Sequence, residues 1–195
     1  MRKLAVLNNL ALDGVMQAPG RPDEDTRGGF TRGGWAVRYN DEVMSGFLAR
    51  GMGVGAELVL GRRTFEDFAS YWPRPGDNPF TMVLNNMTKH VASRTLAEPL
   101  PWANSVLLPP DAAAGVAELK GQGGPDLLVM GSGNLLRSLI AEGLVDEYTL
   151  LIHPLILGNG GRLFDRGLPA TDLELVETLD TTTGVVIAVY RPANW

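Results

Sequence analysis

Two segments of this chain place glycine, hydroxyl and amide residues between an apolar run and a helical pattern. One is Ala56-Glu-Leu-Val-Leu60 followed by Gly61-Arg62-Arg63-Thr64-Phe65-Glu66. The other is Asp126-Leu-Leu-Val-Met130 followed by Gly131-Ser132-Gly133-Asn134-Leu135. A strand that turns through glycine into a helix offers an anion both backbone N–H groups and the positive end of the helix dipole. Glycine lets a phosphate approach the backbone closely, and Ser132 and Asn134 can cap the helix or donate to oxygen. A nucleotide with several phosphates can use two such cradles, so the pair predicts a dinucleotide site. Arg62 and Arg63 sit where cations oppose the dipole, a conflict that a bound phosphate resolves. Leu136 stands where G-x-G-x-x-G requires a third glycine, which weakens a Rossmann reading.

Other residues extend the candidate chemistry. Asn85-Asn86-Met87-Thr88-Lys89-His90 follows an apolar run read as a strand, where an α/β sheet presents its ligand edge. Asn85 and Asn86 are expected to line a ribose or simply to turn the chain, and Lys89 and His90 to favour a 2′-phosphate. Asp13, beside Gly14 at the end of the first strand, can orient a substrate or relay a proton, or else form an Asx-turn. His153, before Pro154, reads as a structural histidine. The segment Pro154-Leu-Ile-Leu-Gly158-Asn159-Gly160-Gly161-Arg162-Leu163-Phe164 reads as backbone held close to a ligand or another subunit. With two histidines, no cysteine and no H-E-x-x-H, no metal site is expected. No G-x-S-x-G nucleophile elbow occurs either.

A mainly parallel sheet can hold these turns. Strands are expected at Lys3–Asn8, Glu57–Leu60, Phe80–Leu84, Ser105–Leu108 and Asp126–Met130. Four helices are expected: one capped by Asn40 with Met44, Phe47 and Leu48 inward; one with Phe65, Phe68, Ala69 and Trp72 inward; one opened by Pro110 and Asp111; and one carrying Leu135, Leu136, Leu139 and Ile140. After Gly143 the pattern turns to Glu147–His153, Leu173–Leu179 and Val185–Tyr190, an antiparallel ending. Residues 13–39, with six glycines, read as a functional loop. The 195 residues form one expected domain, 1–195, and the net charge of −5 opposes a nucleic-acid surface. The first apolar run is too short for a signal peptide or membrane span, so a cytoplasmic protein is expected.

Together, Leu12-Asp13-Gly14, Gly61-Arg62-x-Thr64-Phe65-Glu66, Val129-x-Gly131-Ser132-Gly133 and Pro154-x-x-x-Gly158-x-Gly160-Gly161-x-Leu163-Phe164 resemble the RibD C-terminal domain family. That family is the reductase half of the bifunctional deaminase-reductase of riboflavin synthesis, similar in fold to dihydrofolate reductase. The resemblance implies a three-layer α/β fold with a mixed, mainly parallel sheet of about eight strands, a C-terminal antiparallel hairpin and about four flanking helices. It also implies NADPH as hydride donor, and a homodimer. Its cofactor positions fall on Gly61, Arg62, Thr64, Asn85, Gly131, Ser132, Gly133 and Asn134; the residue reading adds Arg63, Asn86 and Leu135. Asp13 is the candidate catalytic residue. The implied activity is that of a stand-alone reductase like 5-amino-6-(5-phosphoribosylamino)uracil reductase, with the substrate phosphate facing Arg21, Arg27, Arg32 or Arg38. The zinc deaminase signature is absent, so the preceding deamination is not expected. Two alternatives stand: a dihydrofolate or pterin reductase, which would use Asp41 or Glu42, and a non-catalytic nucleotide-binding module.

Overall fold

The computed structural model describes residues 1–53, 55–73, 79–165 and 167–193. Eight strands make one sheet: β1 (Leu4–Ala11), β2 (Ala56–Gly61), β3 (Lys89–Ala92), β4 (Ser105–Leu107), β5 (Asp126–Met130), β6 (Glu147–His153), β7 (Leu173–Asp180) and β8 (Val186–Pro192). Their order is β4-β3-β2-β5-β1-β6-β8-β7, parallel from β4 to β6 and antiparallel across β6, β8 and β7. The sheet is thus mixed and mainly parallel with an antiparallel C-terminal hairpin.

Strand alternation assigns the helices to layers, because register partners project to the same face. Val59, Val129 and Val6 pack with Leu136, Leu139 and Val116, which lie on α5 (Gly133–Ala141) and α4 (Ala112–Gly121). On the other face Leu58, Leu60 and Val91 pack against Phe65 of α2 (Arg62–Tyr71) and Leu84 of α3 (Pro79–Asn86). Further along that face Leu7, Leu151 and Ile187 meet Met44, Phe47 and Leu48 of α1 (Glu42–Gly53).

Two sequence expectations are corrected. The run Phe80–Leu84 is not a strand but most of α3, with Leu84 1% exposed. Five apolar residues cannot distinguish a buried strand from a helical stripe, and Pro79 suits a helix start. The strand begins five residues after that run ends, at β3, where Lys89 and His90 had suggested a ligand edge. Both side chains are structural instead. Lys89 is fully buried, its Nζ donating to the carbonyls of Asn85 (3.2 Å), Met87 (2.7 Å) and Ala103 (2.9 Å) and lying 4.4 Å from the Trp102 ring centroid. His90 Nε2 meets Glu57 Oε2 at 2.8 Å, and Arg2 reaches the same oxygen at 2.5 Å. A smaller correction concerns α1. Its cap is Asp41 rather than Asn40, because Asp41 Oδ1 accepts from the Met44 N–H at 2.8 Å.

Burial pulls the Lys89 pKa down from 10.5 to about 8. The unfolded chain therefore binds more protons than the folded one between those values, so this group adds stability as pH rises through the window. In Lys89→Met that rise should vanish. The variant should also lose stability at pH 7, by about 1–3 kcal/mol for each carbonyl left without a donor. Thermal melts from pH 7 to 10 read both, and an unchanged melting curve refutes them.

Residues 13–39 form a folded unit rather than a structureless loop. Val15, Ala18, Phe30, Trp35 and Ala36 build a small core with Ala11 and Leu157, braced by two short helical turns at Arg27–Gly29 and Val37–Tyr39. The Trp35 indole N–H donates to the Gln17 carbonyl at 2.7 Å, and Gln17 in turn accepts from the Gly161 N–H at 2.8 Å.

Candidate functional site

The registers around β1 open a cleft at the strand ends. Pairing of β1 with β5 stops at Leu7↔Met130, whereas pairing with β6 continues to Ala11↔His153. Past Leu7, one side of β1 therefore faces a gap in which β5 has already turned toward α5. Leu7, Asn8 and Asn9 at this gap line a cleft of about 1790 Å³. It reaches the ends of β2 and β3 on one side, and α1 with the folded 13–39 loop on the other.

Both glycine turns enter this cleft and are bonded to one another. The Gly61 N–H donates to Ser132 Oγ at 3.0 Å, and the Ser132 N–H donates to Thr64 Oγ1 at 3.0 Å. Ser132 Oγ also donates to the Met130 carbonyl at 3.0 Å. Ser132 holds a left-handed conformation (φ 56°, ψ 39°), uncommon for a residue with a Cβ and met at sites where surrounding bonds enforce it. Gly131 precedes it at φ 58°, where an added Cβ would stand 3.2 Å from Thr64 Cγ2. The starts of α2 and α5 thus open into one space. The first-turn N–H groups of Arg62, Arg63 and Thr64, and of Gly133, Asn134 and Leu135, lack i−4 carbonyl partners and suit a phosphate-bearing group.

The cations around the cleft sort into two kinds. Arg21 pairs with Asp67, Arg27 with Asp25, Arg62 with both Glu66 oxygens (3.0 Å), Arg137 with Asp165 (3.2 Å) and Arg162 with Asp13 (3.6 Å). Glu66 therefore supplies the counter-charge that the sequence reading had sought in a phosphate. Arg63 and Arg94 also line the cleft, and neither side chain has a hydrogen bond or ion pair among the described residues. They follow adjacent strand ends, since Gly61 and Ala92 are register partners.

Of the expected site residues, Gly61, Arg62, Arg63, Thr64, Gly131, Ser132, Gly133, Asn134 and Leu135 line the cleft. Asn85 and Asn86 do not, because their segment ends α3 instead of a strand. Asn85 Oδ1 accepts from the Trp102 indole at 2.7 Å, and its carbonyl accepts from Lys89. The strand end they were meant to occupy belongs to Ser93, Arg94 and Thr95, which line the cleft after β3. The sequence signal for these was a polar triplet after Val91-Ala92, hidden by the charged start of that strand.

Asp13 also lies outside the lining. Its carboxylate accepts from the N–H groups of Gly158 (2.8 Å) and Leu157 (3.3 Å), and its carbonyl accepts from Arg162 Nε at 2.8 Å. Burial raises its pKa, but those N–H groups and the Arg162 charge outweigh it and hold the carboxyl below its usual value. Asp13 is therefore ionised at neutral pH and has no proton to give. On α1, Asp41 Oδ2 accepts from the Thr182 N–H and hydroxyl, each at 2.7 Å, and neither Asp41 nor Glu42 lines the cleft.

Comparison with known proteins agrees with this architecture. Residues 2–187 match the family described as RibD C-terminal domain. YyaP of Bacillus subtilis (strain 168), an uncharacterized protein, is 32% identical over 139 residues, covering 69% of this chain and 72% of YyaP. Among solved structures, a "putative riboflavin biosynthesis protein" from Shewanella sp. PV-4 superposes with a TM-score of 0.70 at 21% identity, covering 100% of both chains. A pyrimidine reductase-like protein from Corynebacterium diphtheriae gives a TM-score of 0.64 at 13% identity, covering 99% of this chain and 92% of that one. No helix among the described residues is long and apolar enough to cross a membrane.

Proposed function

The chain belongs to the RibD C-terminal domain family, and from that premise we propose that it is a stand-alone NADPH-dependent reductase of a small heterocyclic or ribosylamino compound. The observation that carries this reading is the pair of bonds between the turns, Gly61 to Ser132 and Ser132 to Thr64, which make two helix N-termini into one anion cradle. When bound, NADPH supplies a hydride to a C=N or C=O carbon. The first-turn N–H groups of α2 and α5 would hold its pyrophosphate, while Arg63 and Arg94 would hold the 2′-phosphate. Asn8 and Asn9 of β1 line the cleft where its pairing with β5 has stopped, and this stretch is the proposed place for the reacting carbon. The 13–39 loop, latched by Arg21 to Asp67 of α2, forms one wall of the cleft. Asp13 is a positioning residue that ties this loop to Gly158.

The dihydrofolate alternative is disfavoured because Asp41 is committed to Met44 and Thr182, and α1 offers the cleft Met44 and Leu48 instead of a carboxylate. The reading is tested by titrating NADPH and following its oxidation, beside a Gly131→Val variant with circular dichroism as a folding control. The valine requires a left-handed β-branched residue and displaces Thr64, so affinity should fall by at least about 10-fold, one 1.4 kcal/mol step. Equal affinity in wild type and variant refutes the cradle. Tight binding without oxidation of the cofactor in the presence of any carbonyl or imine favours the non-catalytic module.

The homodimer belongs to the same reading. A hollow of about 300 Å³ lined by Leu10, Leu12, Ile152, Phe164, Leu173 and Tyr190 lies open on the hairpin side of the sheet, with Leu12 63% exposed. Sedimentation as a dimer that Leu12→Glu converts to monomer is the expected result; a wild-type monomer at all concentrations excludes it.

A further inference from the structure

On the α1 side the cleft lining includes Leu7, Asn9, Ala36, Asn40, Met44 and Leu48, grouped here as the α1 compartment. The polar side chains among these six are the amides of Asn9 and Asn40. The arginines expected to meet a substrate phosphate do not serve it. Arg21 and Arg27 are paired with Asp67 and Asp25, while Arg38 donates to the Tyr39 hydroxyl at 2.7 Å and, like Arg32, does not line the cleft. The loop instead brings Asp23, Glu24 and Asp25 to the lining. A phosphate ester entering here would meet carboxylates and, among the described residues, no unpaired cation. The two unpaired arginines lie at the ends of β2 and β3, two and three strands away from β1.

Asn9 is held from behind. His153 Nε2 contacts Asn9 Oδ1 at 2.8 Å, and the ring is fully buried, edge-on to Trp35 (centroids 5.1 Å apart) and Tyr39 (5.4 Å). Burial pulls the His153 pKa down to about 4, so the ring is neutral at neutral pH and carries one proton. His153 Nδ1 is buried without a partner. Placing the proton on Nε2 leaves Nδ1 with only a bare lone pair, whereas the other tautomer would bury an unpaired N–H, the rarer and costlier defect. Nε2 therefore donates to Asn9 Oδ1, and the Asn9 amide is turned so that its N–H₂ faces away from His153.

We propose that this compartment takes an uncharged, phosphate-free acceptor, and that Asn9, locked by the buried His153, donates an amide N–H to the oxygen or nitrogen of the bond being reduced. The inference rests on the reductase reading. As the carbon is reduced, the π pair of its C=O or C=N bond moves onto the heteroatom. The Asn9 N–H stabilises the charge gathering there, and solvent water supplies the proton that completes the step. Asn9 loses no proton, and His153 acts through Asn9 as a positioning residue.

The test uses a ribosylaminouracil and its 5′-phosphate, each titrated calorimetrically into NADP-loaded protein and assayed for turnover with NADPH. The unphosphorylated compound should bind at least tenfold more tightly. Asn9→Ala should weaken its binding and turnover at least tenfold while leaving the NADPH affinity within twofold. His153→Phe keeps the ring packing but loses the bond to Asn9, so it should weaken acceptor binding in the wild type and add nothing in the Asn9→Ala background. Should His153→Phe not fold, Asn9→Ala alone decides. Equal or tighter binding of the phosphate ester, failure of both compounds to bind, or unchanged acceptor binding in Asn9→Ala overturns the proposal. Failure of the wild type to bind NADPH sinks the reductase reading instead.

Discussion

Replacing Arg63 and Arg94 together by alanine is expected to erase discrimination between NADPH and NADH. Five other arginines at the cleft already face carboxylates, and these two alone have no partner among the described residues. They flank one position, because β2 and β3 are neighbours whose ends, Gly61 and Ala92, are in register. Each charge-assisted contact with a 2′-phosphate contributes about 1.5–3 kcal/mol, so the pair accounts for roughly 10²- to 10⁴-fold in relative affinity, toward the lower end in high salt. The NADH affinity should stay within twofold, since NADH lacks that phosphate. Cofactor fluorescence titrations of wild type and double variant measure the ratio. A parallel fall for both cofactors would show that the arginines hold the pyrophosphate or the fold.

The second large effect is expected at Gly160, which lies at φ 117°, with an added Cβ 2.7 Å from Val15 Cγ1 and 3.0 Å from the Phe30 ring. Val15 and Phe30 are buried in the core of the 13–39 loop, so neither can yield without unseating it. Gly160→Val combines a backbone penalty of about 1–3 kcal/mol with overpacking of similar size. For a chain of this length that is a fall in melting temperature of roughly 5–20 °C. The loop also lines the cleft, so turnover should fall more than tenfold and proteolysis within residues 13–39 should accelerate. A variant that melts and turns over like the wild type would show that the loop does not depend on this contact.

Much of the scaffold was readable because burial on both faces leaves continuous apolar runs. β5 and β6 have the expected bounds, and the inward stripes of α1, α2 and α5 are the expected residues. The reading failed at 79–92, where α3 and β3 follow one another within a few residues. Leu84 looked like strand core, and Lys89 looked like an edge, although the fold buries it among three carbonyls. That burial depends on Ala103, which is distant in sequence. The error displaced the ligand edge from Arg94 to Asn85 and Asn86. The Arg62–Glu66 pair has i,i+4 helix spacing, but the expectation of a phosphate at that turn passed over it.

By itself the sequence determined the two glycine turns, the helices behind them and the family to which they belong, because turn chemistry and hydrophobic period are local properties of the chain. Only the tertiary structure decided that the turns bond to one another through Ser132 and Thr64, 68 residues apart in sequence. It also decided which arginines are already neutralised and that His153 stands behind Asn9 across 144 residues. Hydrogen bonds and ion pairs act over a few ångströms in space, and spacing along the chain does not record which distant residues folding brings within that reach.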